Sequence, residues 1–365
     1  MRVAVVGGGC VGLTVAGDLA DRGAAVALYE RDELGSGATG RAAGICYDAF
    51  AGSVDAAVAA RALDRYREWD LLTPCPYVWA AREDGDATAI RQQVREMQAH
   101  GRDVTELSPE ALAERYPHLD TSTVTAAGVA NAAGTLDPDA VVTELAARAR
   151  SAGVTILTET PATLADPKTV ETSDGRERFD AVVVAGGSAA KPLVADVGVS
   201  LALKTYRAQA LVTTPVDAGL PSFYDATEEF YWRPKGERII VGNGAHAADP
   251  DDWTADADPE FVESALAKFD EATTLSPAVA RSWAGLCTAT PDRDPLVGHV
   301  ADGLYVAAGW QGHGLMRAPA LGEFLAERVL DADPTLSVPL GPRVDPTRFD
   351  GDESFDPLGD PTADW

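Results

Sequence analysis

Apolar residues follow two rhythms along this chain. Near the N-terminus, Val3 to Val6 form an unbroken apolar run, residues 11–22 repeat at helical spacing, and residues 25–29 form a second run. That succession predicts a buried strand, a helix closed by Gly23 and a parallel strand. Helical spacing returns over 54–70, 89–100, 137–152 with Asp137 as N-cap, 259–271 and 318–330. Short buried strands are predicted at 154–157, 181–185 and 304–308. Between Leu203 and Gly242 the rhythm becomes alternation (209–213, 229–233, 239–241) broken by Pro and Gly turns, which predicts an antiparallel sheet. The expected architecture is α/β: one discontinuous unit from 1–80, 135–200 and 285–330, and an inserted antiparallel-sheet (α+β) unit from 81–134 and 201–284. Residues 331–365, rich in Pro, Asp and Gly, read as a loosely wrapped or disordered tail.

Charge adds a constraint on partners. The 365 residues include 57 acidic and 30 basic ones, a formal net charge of −27, and only five lysines. Such a surface excludes nucleic acid and anionic membranes, which need basic patches. Its self-repulsion calls for concentrated salt, so a halophilic cytoplasm is expected. Cys10, Cys46, Cys75 and Cys287 are scattered without metal or disulfide spacing, so no metal is expected. An apolar leader of roughly 7–15 residues and any apolar stretch of ~18 are both absent, which fits a cytoplasmic protein without membrane insertion.

Candidate chemistry begins at Gly7-Gly8-Gly9-Cys10-Val11-Gly12, a Gly-x-Gly-x-x-Gly between predicted strand and helix, with Glu30 ending the next strand. Gly7 makes the tight turn, Gly9 admits a pyrophosphate to the backbone, and Gly12 lets helix pack on strand. The helix N-terminus supplies positive dipole for the phosphates, and Glu30 suits ribose hydroxyls. This pattern leaves NAD and FAD both open. The small and hydroxyl residues that follow Arg31, from Gly35 through Ser36, Ala38, Thr39, Arg41 and Ala42 to Gly44, favour the more extended FAD.

With Gly134-Thr135-Leu136-Asp137-Pro138, Val183-Val184-Ala185-Gly186-Gly187, Tyr231-Trp232-Arg233-Pro234, Trp283-Ala284-Gly285-Leu286, Thr290-Pro291-Asp292 and Gly312-His313-Gly314, the chain resembles the D-amino-acid oxidase superfamily, the group of glycine oxidase, sarcosine oxidase and D-amino-acid dehydrogenases. The resemblance implies a Rossmann-like FAD-binding unit with a sheet over the flavin's reactive face. It extends the cofactor residues to Ala185, Gly186, Gly309, Gly312, His313, Gly314, Leu315 and Met316. The loop from Gly309 to Gly314, opening a helix, can aim N–H groups and a helix dipole at the flavin edge that becomes negative on reduction. His313 adds a donor there or packs in the loop, and Tyr231 matches a substrate-contacting tyrosine or serves as sheet core.

The chain departs from its relatives at four places, one of them the lysine that sarcosine oxidases place shortly after Gly-His-Gly, where Met316 and then Arg317 stand. Cys287 stands where amino-acid-specific relatives carry a carboxylate-binding arginine, leaving Arg41, Arg233 or Arg317 to substitute. Gly285 stands where sarcosine oxidases attach flavin to cysteine, so the FAD is expected to be non-covalent. Ile240 stands where oxidases place a lysine that speeds reaction with oxygen, which leans towards an electron-acceptor protein or quinone. The expected reaction is oxidation of a C–N bond in a small amine or amino acid by hydride transfer to flavin N5, with Tyr231, His313 and Arg317 as the catalytic candidates. The rivals are oxidation of a 2-hydroxy acid or alcohol, and a flavin-binding subunit of a multi-subunit dehydrogenase without its own turnover.

Overall fold

The computed structural model describes residues 1–358. Its first layer is a six-stranded sheet in the order Leu296–Ala301, Leu304–Ala308, Ala181–Val184, Arg2–Val6, Ala25–Tyr29, Thr155–Leu157. All pairs are parallel except the edge hairpin of Leu296–Ala301 with Leu304–Ala308. Residues Val3 to Val6 and Ala181 to Val184 are buried on both faces, which is why they read as unbroken apolar runs rather than alternating ones. One face is covered by the helices Cys10–Asp21, Ser53–Glu68, Pro138–Ser151 and Gly314–Val329, and the other by Ala190–Ala195 and a three-stranded meander over 163–178.

The second layer is an eight-stranded sheet in the order Val279–Ala289, Lys204–Thr213, Arg238–Ala247, Phe230–Lys235, Ser222–Asp225, Tyr77–Ala81, Ala126–Ala130, Val104–Leu107. It is antiparallel but for one parallel pair, Ser222–Asp225 with Tyr77–Ala81, where its two chain segments meet. Its residues come from 77–130 and 204–289, so strands run across the expected boundaries at 80/81 and 284/285. Its outer face, with Leu211, Phe223, Phe230, Trp232, Ile239 and Val241, packs on helix Pro259–Ala272. Its inner face looks towards the first layer.

Residues 331–358 pack on the first layer. A turn of helix at Gly341–Val344 buries Leu340 and Val344. Arg343 pairs with Asp55 at 2.9 Å and Asp294 at 2.5 Å, and Arg348 pairs with Asp292 at 2.8 Å. Two buried apolar anchors and these ion pairs outweigh the Pro- and Asp-rich composition. Residues 359–365 of the expected tail lie outside the described residues.

Candidate active site

The fingerprint loop works by close approach. A Cβ on Gly12 would overlap the Gly7 carbonyl, and one on Gly7 (φ +118°) would overlap the Ala185 carbonyl, so the turn, the helix and the next strand can meet only through glycine. Helix Cys10–Asp21 starts at Gly9 without a side-chain cap, and Val11 is buried behind it. The Cys10 N–H donates to Thr39 Oγ1 (3.1 Å), drawing the second glycine loop over this end. In that loop Ser36 and Ala38 are exposed and Ala42 half-buried, while Arg41 donates to the Ser36 and Gly37 carbonyls. Glu30 accepts from the Gly8 N–H (2.6 Å) and the Asp32 N–H (3.0 Å), which sets its carboxylate at the end of the strand. Arg31 lies outside, paired with Asp32.

A second uncapped helix start faces the same region. Gly309 (φ +77°) donates to Thr288 Oγ1 (3.1 Å), the Gln311 N–H donates to the Thr288 carbonyl (2.9 Å), and His313 stands at the N-cap of Gly314–Val329 without a side-chain cap. Gly312 is exposed and Gly314 half-buried at the opening. Leu315 and Met316 have side chains in the core, so what they offer a ligand is backbone. Burial, and then the charge of Arg317, push the His313 imidazole down to about 3, so it is neutral at all ordinary pH.

Facing both loops is the inner face of the large sheet. Its strand register sets Trp283, Ala210, Gly242, Tyr231, Tyr224, Trp79 and Gly128 in one transverse row. Trp283 Nε1 donates to the Arg41 carbonyl (3.1 Å). Arg233, on the same face as Tyr231, donates to the carbonyls of Ala43, Leu136 (3.2 Å) and Pro234 (3.0 Å), which clamps the sheet to the loop after the second glycine run. The Tyr231 ring lies across Gly242, where any Cβ would overlap it. Burial raises its hydroxyl to about 12.

Tyr206, four residues along its strand from Ala210 and on the same face, stands opposite Cys287, and its hydroxyl oxygen reaches the Gly312 turn. Arg317 pairs with Asp55 at 3.1 Å and lies over the Phe50 ring, and its buried Nε has no partner among the described residues. The structure thus brings Tyr231 to the inner face, His313 to the flavin-type loop and Arg317 behind that loop. Of the three arginines expected to replace the one missing at Cys287, Arg41 and Arg233 are taken by backbone carbonyls. Sequence reasoning passed over Tyr206, Tyr224, Tyr77, Trp79 and Tyr47; only the cross-strand register brings these together.

The sequence matches the family described as DAO, FAD dependent oxidoreductase, over residues 2–328. The chain belongs to that family. Among curated relatives it is 27% identical to glycine oxidase of Geobacillus kaustophilus, covering 90% of this chain and 92% of that one. It is 26% identical to mitochondrial dimethylglycine dehydrogenase of Homo sapiens, covering 94% of this chain and 44% of that one. The chain spans about half the length of the first curated relatives it matches, 44% and 54% of two of them. Among solved structures, L-proline dehydrogenase from P. horikoshii superposes with a TM-score of 0.88 at 27% identity, over 95% of this chain and 97% of that one. FAD is the cofactor of the family, and the residues here fit it: two uncapped helix N-termini, glycine turns that no Cβ could enter, and a carboxylate at the end of the second strand.

Proposed function

We propose that this DAO-family flavoprotein oxidises the C–N bond of a small amine or amino acid. The observation that carries this is the character of the groups between the sheet and the two glycine loops, none of which is a base near neutral pH. His313 sits at about 3, Tyr231 at about 12, and burial raises the Cys287 thiol. Bound FAD supplies the acceptor for the hydride leaving the carbon beside nitrogen. What the chain supplies is position and exclusion of water, which suits a neutral amine whose own lone pair drives the release. Oxidation of an alcohol needs a group to take the hydroxyl proton, and an imidazole at about 3 is a poor one. That favours the amine reading over the 2-hydroxy acid.

Within this reading Gly7, Gly9, Gly12, Glu30, Thr39, Ala185, Gly186, Gly309 and Gly312 hold FAD without a covalent link. Tyr231 orients the substrate, and His313 holds the loop as a neutral donor or acceptor. A substrate carboxylate, where present, has one guanidinium to meet, that of Arg317, whose charge is shared with Asp55. Ile240 is buried in the sheet, and this supports an acceptor other than oxygen, a quinone or an electron-carrier protein. The acidic surface and four free cysteines support a salt-rich, reducing cytoplasm.

The test is anaerobic titration of the FAD-loaded protein, in molar salt, with a panel of amines, amino acids and 2-hydroxy acids. Bleaching of the flavin band by an amine is expected, at a rate that rises with pH along the substrate's own amine titration. Bleaching by a 2-hydroxy acid alone would overturn the reading. Retained FAD that no substrate reduces, with a second chain co-purifying, would replace it with a subunit role.

A further inference from the structure

A cavity of about 500 Å³ lies outside the site described above. One of its walls is the strand pair of Lys204–Thr213 with Val279–Ala289, at Thr205 and Thr288, which stand opposite each other in register. The next pair, Tyr206 with Cys287, faces the glycine loops; successive strand residues point to opposite sides, so Thr205 and Thr288 look the other way. The other walls are Ser188 and Lys191 at the helix Ala190–Ala195, the turn over 247–250, and Pro357. Proline and alanine side chains make most of the lining apolar, with a few polar groups among them, and the volume is that of a small-ligand pocket.

The charge of this cavity runs against that of the chain. Of only five lysines, three are paired with carboxylates: Lys168 with Asp302 (2.9 Å), Lys235 with Asp137 (3.4 Å) and Lys268 with Glu228 (3.3 Å). The other two, Lys191 and Lys204, line the cavity and form no ion pair among the described residues. Each donates instead to a backbone carbonyl, Lys191 to Leu203 (3.1 Å) and Lys204 to Phe355. An ammonium has three N–H donors, so donors and charge both remain to be met. Glu353, which feels the charge of Lys191, is taken by the N–H groups of Asp350 (2.6 Å) and Gly351 (2.9 Å). Asp249 is the one carboxylate of the lining; it is exposed and accepts from the Asp251 N–H (2.9 Å).

We propose that this cavity binds a small organic oxyanion, a carboxylate or phosphate carried on an apolar body and held by Lys191 and Lys204, and that its occupancy is felt at the flavin loop. Two ammonium groups against one exposed carboxylate leave a net positive recess, and charge-assisted bonds to an oxyanion are the strong ones. The coupling follows from two of the walls. Thr288 accepts from the Gly309 and Gln311 N–H groups, and the Gln311 side chain donates to the Pro357 carbonyl (3.0 Å). Neither part depends on the C–N reading.

The test is calorimetric titration of the FAD-loaded protein at constant KCl with phenylacetate, phenyl phosphate and the uncharged benzyl alcohol, with the flavin band recorded in parallel. Saturable one-site binding of an anion and none of the alcohol is expected, and the tighter of the two anions names the headgroup. Lys191→Gln and Lys204→Gln keep a donor for the carbonyl but lose the charge, and each should weaken binding about tenfold with FAD retained. Lys204→Arg should keep the affinity, and Asp249→Asn should raise it. No saturable binding of either anion, benzyl alcohol binding as tightly, or an affinity unchanged in both Gln variants overturns the proposal. Binding with the flavin band unmoved overturns the coupling and leaves the oxyanion site.

Discussion

Tyr231 and Gly242 are a size-matched pair across two strands: the ring occupies the volume a Cβ on Gly242 would need. Gly242→Ala is therefore expected to cost about 1–3 kcal/mol, the usual range for overpacking, and to push Tyr231 out of line with the glycine loops. In a Tyr231→Ala background the same change should cost much less, and urea unfolding of the four proteins of this cycle measures the coupling. Equal costs in both backgrounds would mean that the two residues do not share that space. His313 gives a residue-scale prediction with a sign. Its pKa of about 3 in the folded chain lies below the ordinary 6.5, so the unfolded chain takes up a proton that the folded one refuses. The stability that the neutral imidazole allows is present above pH 6.5 and is lost progressively as pH falls from there towards 3. Urea midpoints compared between pH 7 and pH 4.5 should fall less in His313→Gln than in the unaltered protein. The glycines of both loops were legible as residues because their conformation is local. The fates of Arg41, Arg233 and Arg317 were not, because each guanidinium is taken by a partner that spacing does not reveal: carbonyls of the folded loops for the first two, Asp55 for the third.

At the scale of elements, the three helices Cys10–Asp21, Ser53–Glu68 and Gly314–Val329 are joined by buried charge as well as by apolar packing. Arg65 makes a two-pronged bond to Asp18 (2.7 and 2.8 Å) and reaches the Pro319 carbonyl (2.6 Å), while the Tyr66 hydroxyl donates to the Leu315 carbonyl (2.6 Å), the one that loses its ladder donor because Pro319 has no N–H. Arg61 makes a similar fork to Glu323 at 2.8 Å. Since Arg65 and Asp18 are both nearly buried, removing one alone strands the other's charge, and Arg65→Met should cost about 3–5 kcal/mol. The double change Arg65→Met with Asp18→Leu should recover most of that loss in thermal unfolding; a double variant as unstable as the single one would show that the bond to Pro319 carries the effect. Ser53–Glu68 was readable because it buries a stripe at helical spacing, whereas Cys10–Asp21 and Gly314–Val329 are buried nearly all round and were legible with the glycine turns that precede them. The strands Tyr77–Ala81 and Ala126–Ala130 were not read, because Ala and Gly, which carry little strand preference, make up two residues of the first and four of the second. The transverse row on the inner face of the large sheet was invisible in the sequence because it draws on seven strands from residue 79 to residue 283, and only register aligns them.

For the whole molecule the governing quantity is the net charge of −27. The buried forks Arg65–Asp18 and Arg61–Glu323 withdraw base and acid in equal number, so the net charge is carried by the rest of the molecule. Carboxylates held close on a compact body repel one another more than on an extended chain, so folding carries an electrostatic penalty that mobile ions reduce. The Debye length falls from about 10 Å at 0.1 M to about 3 Å at 1 M, and most of the relief should therefore appear below ~1 M. The melting temperature is expected to rise steeply with KCl over that range at pH 7 and more gently above it. Salting-out of apolar surface also raises stability with salt, but it has no reason to depend on carboxylate ionisation. Lowering the pH towards 4.5 partly protonates the acidic side chains, whose ordinary values lie near 4, and so reduces the repulsion that salt relieves. Scanning calorimetry from 0.1 to 3 M KCl at pH 7 and pH 4.5 should then give a markedly shallower salt dependence at the lower pH, even though the protein is less stable there through loss of its ion pairs. A salt dependence equally steep at both values would assign the effect to apolar burial, and the acidic surface would then need an explanation other than stability in brine.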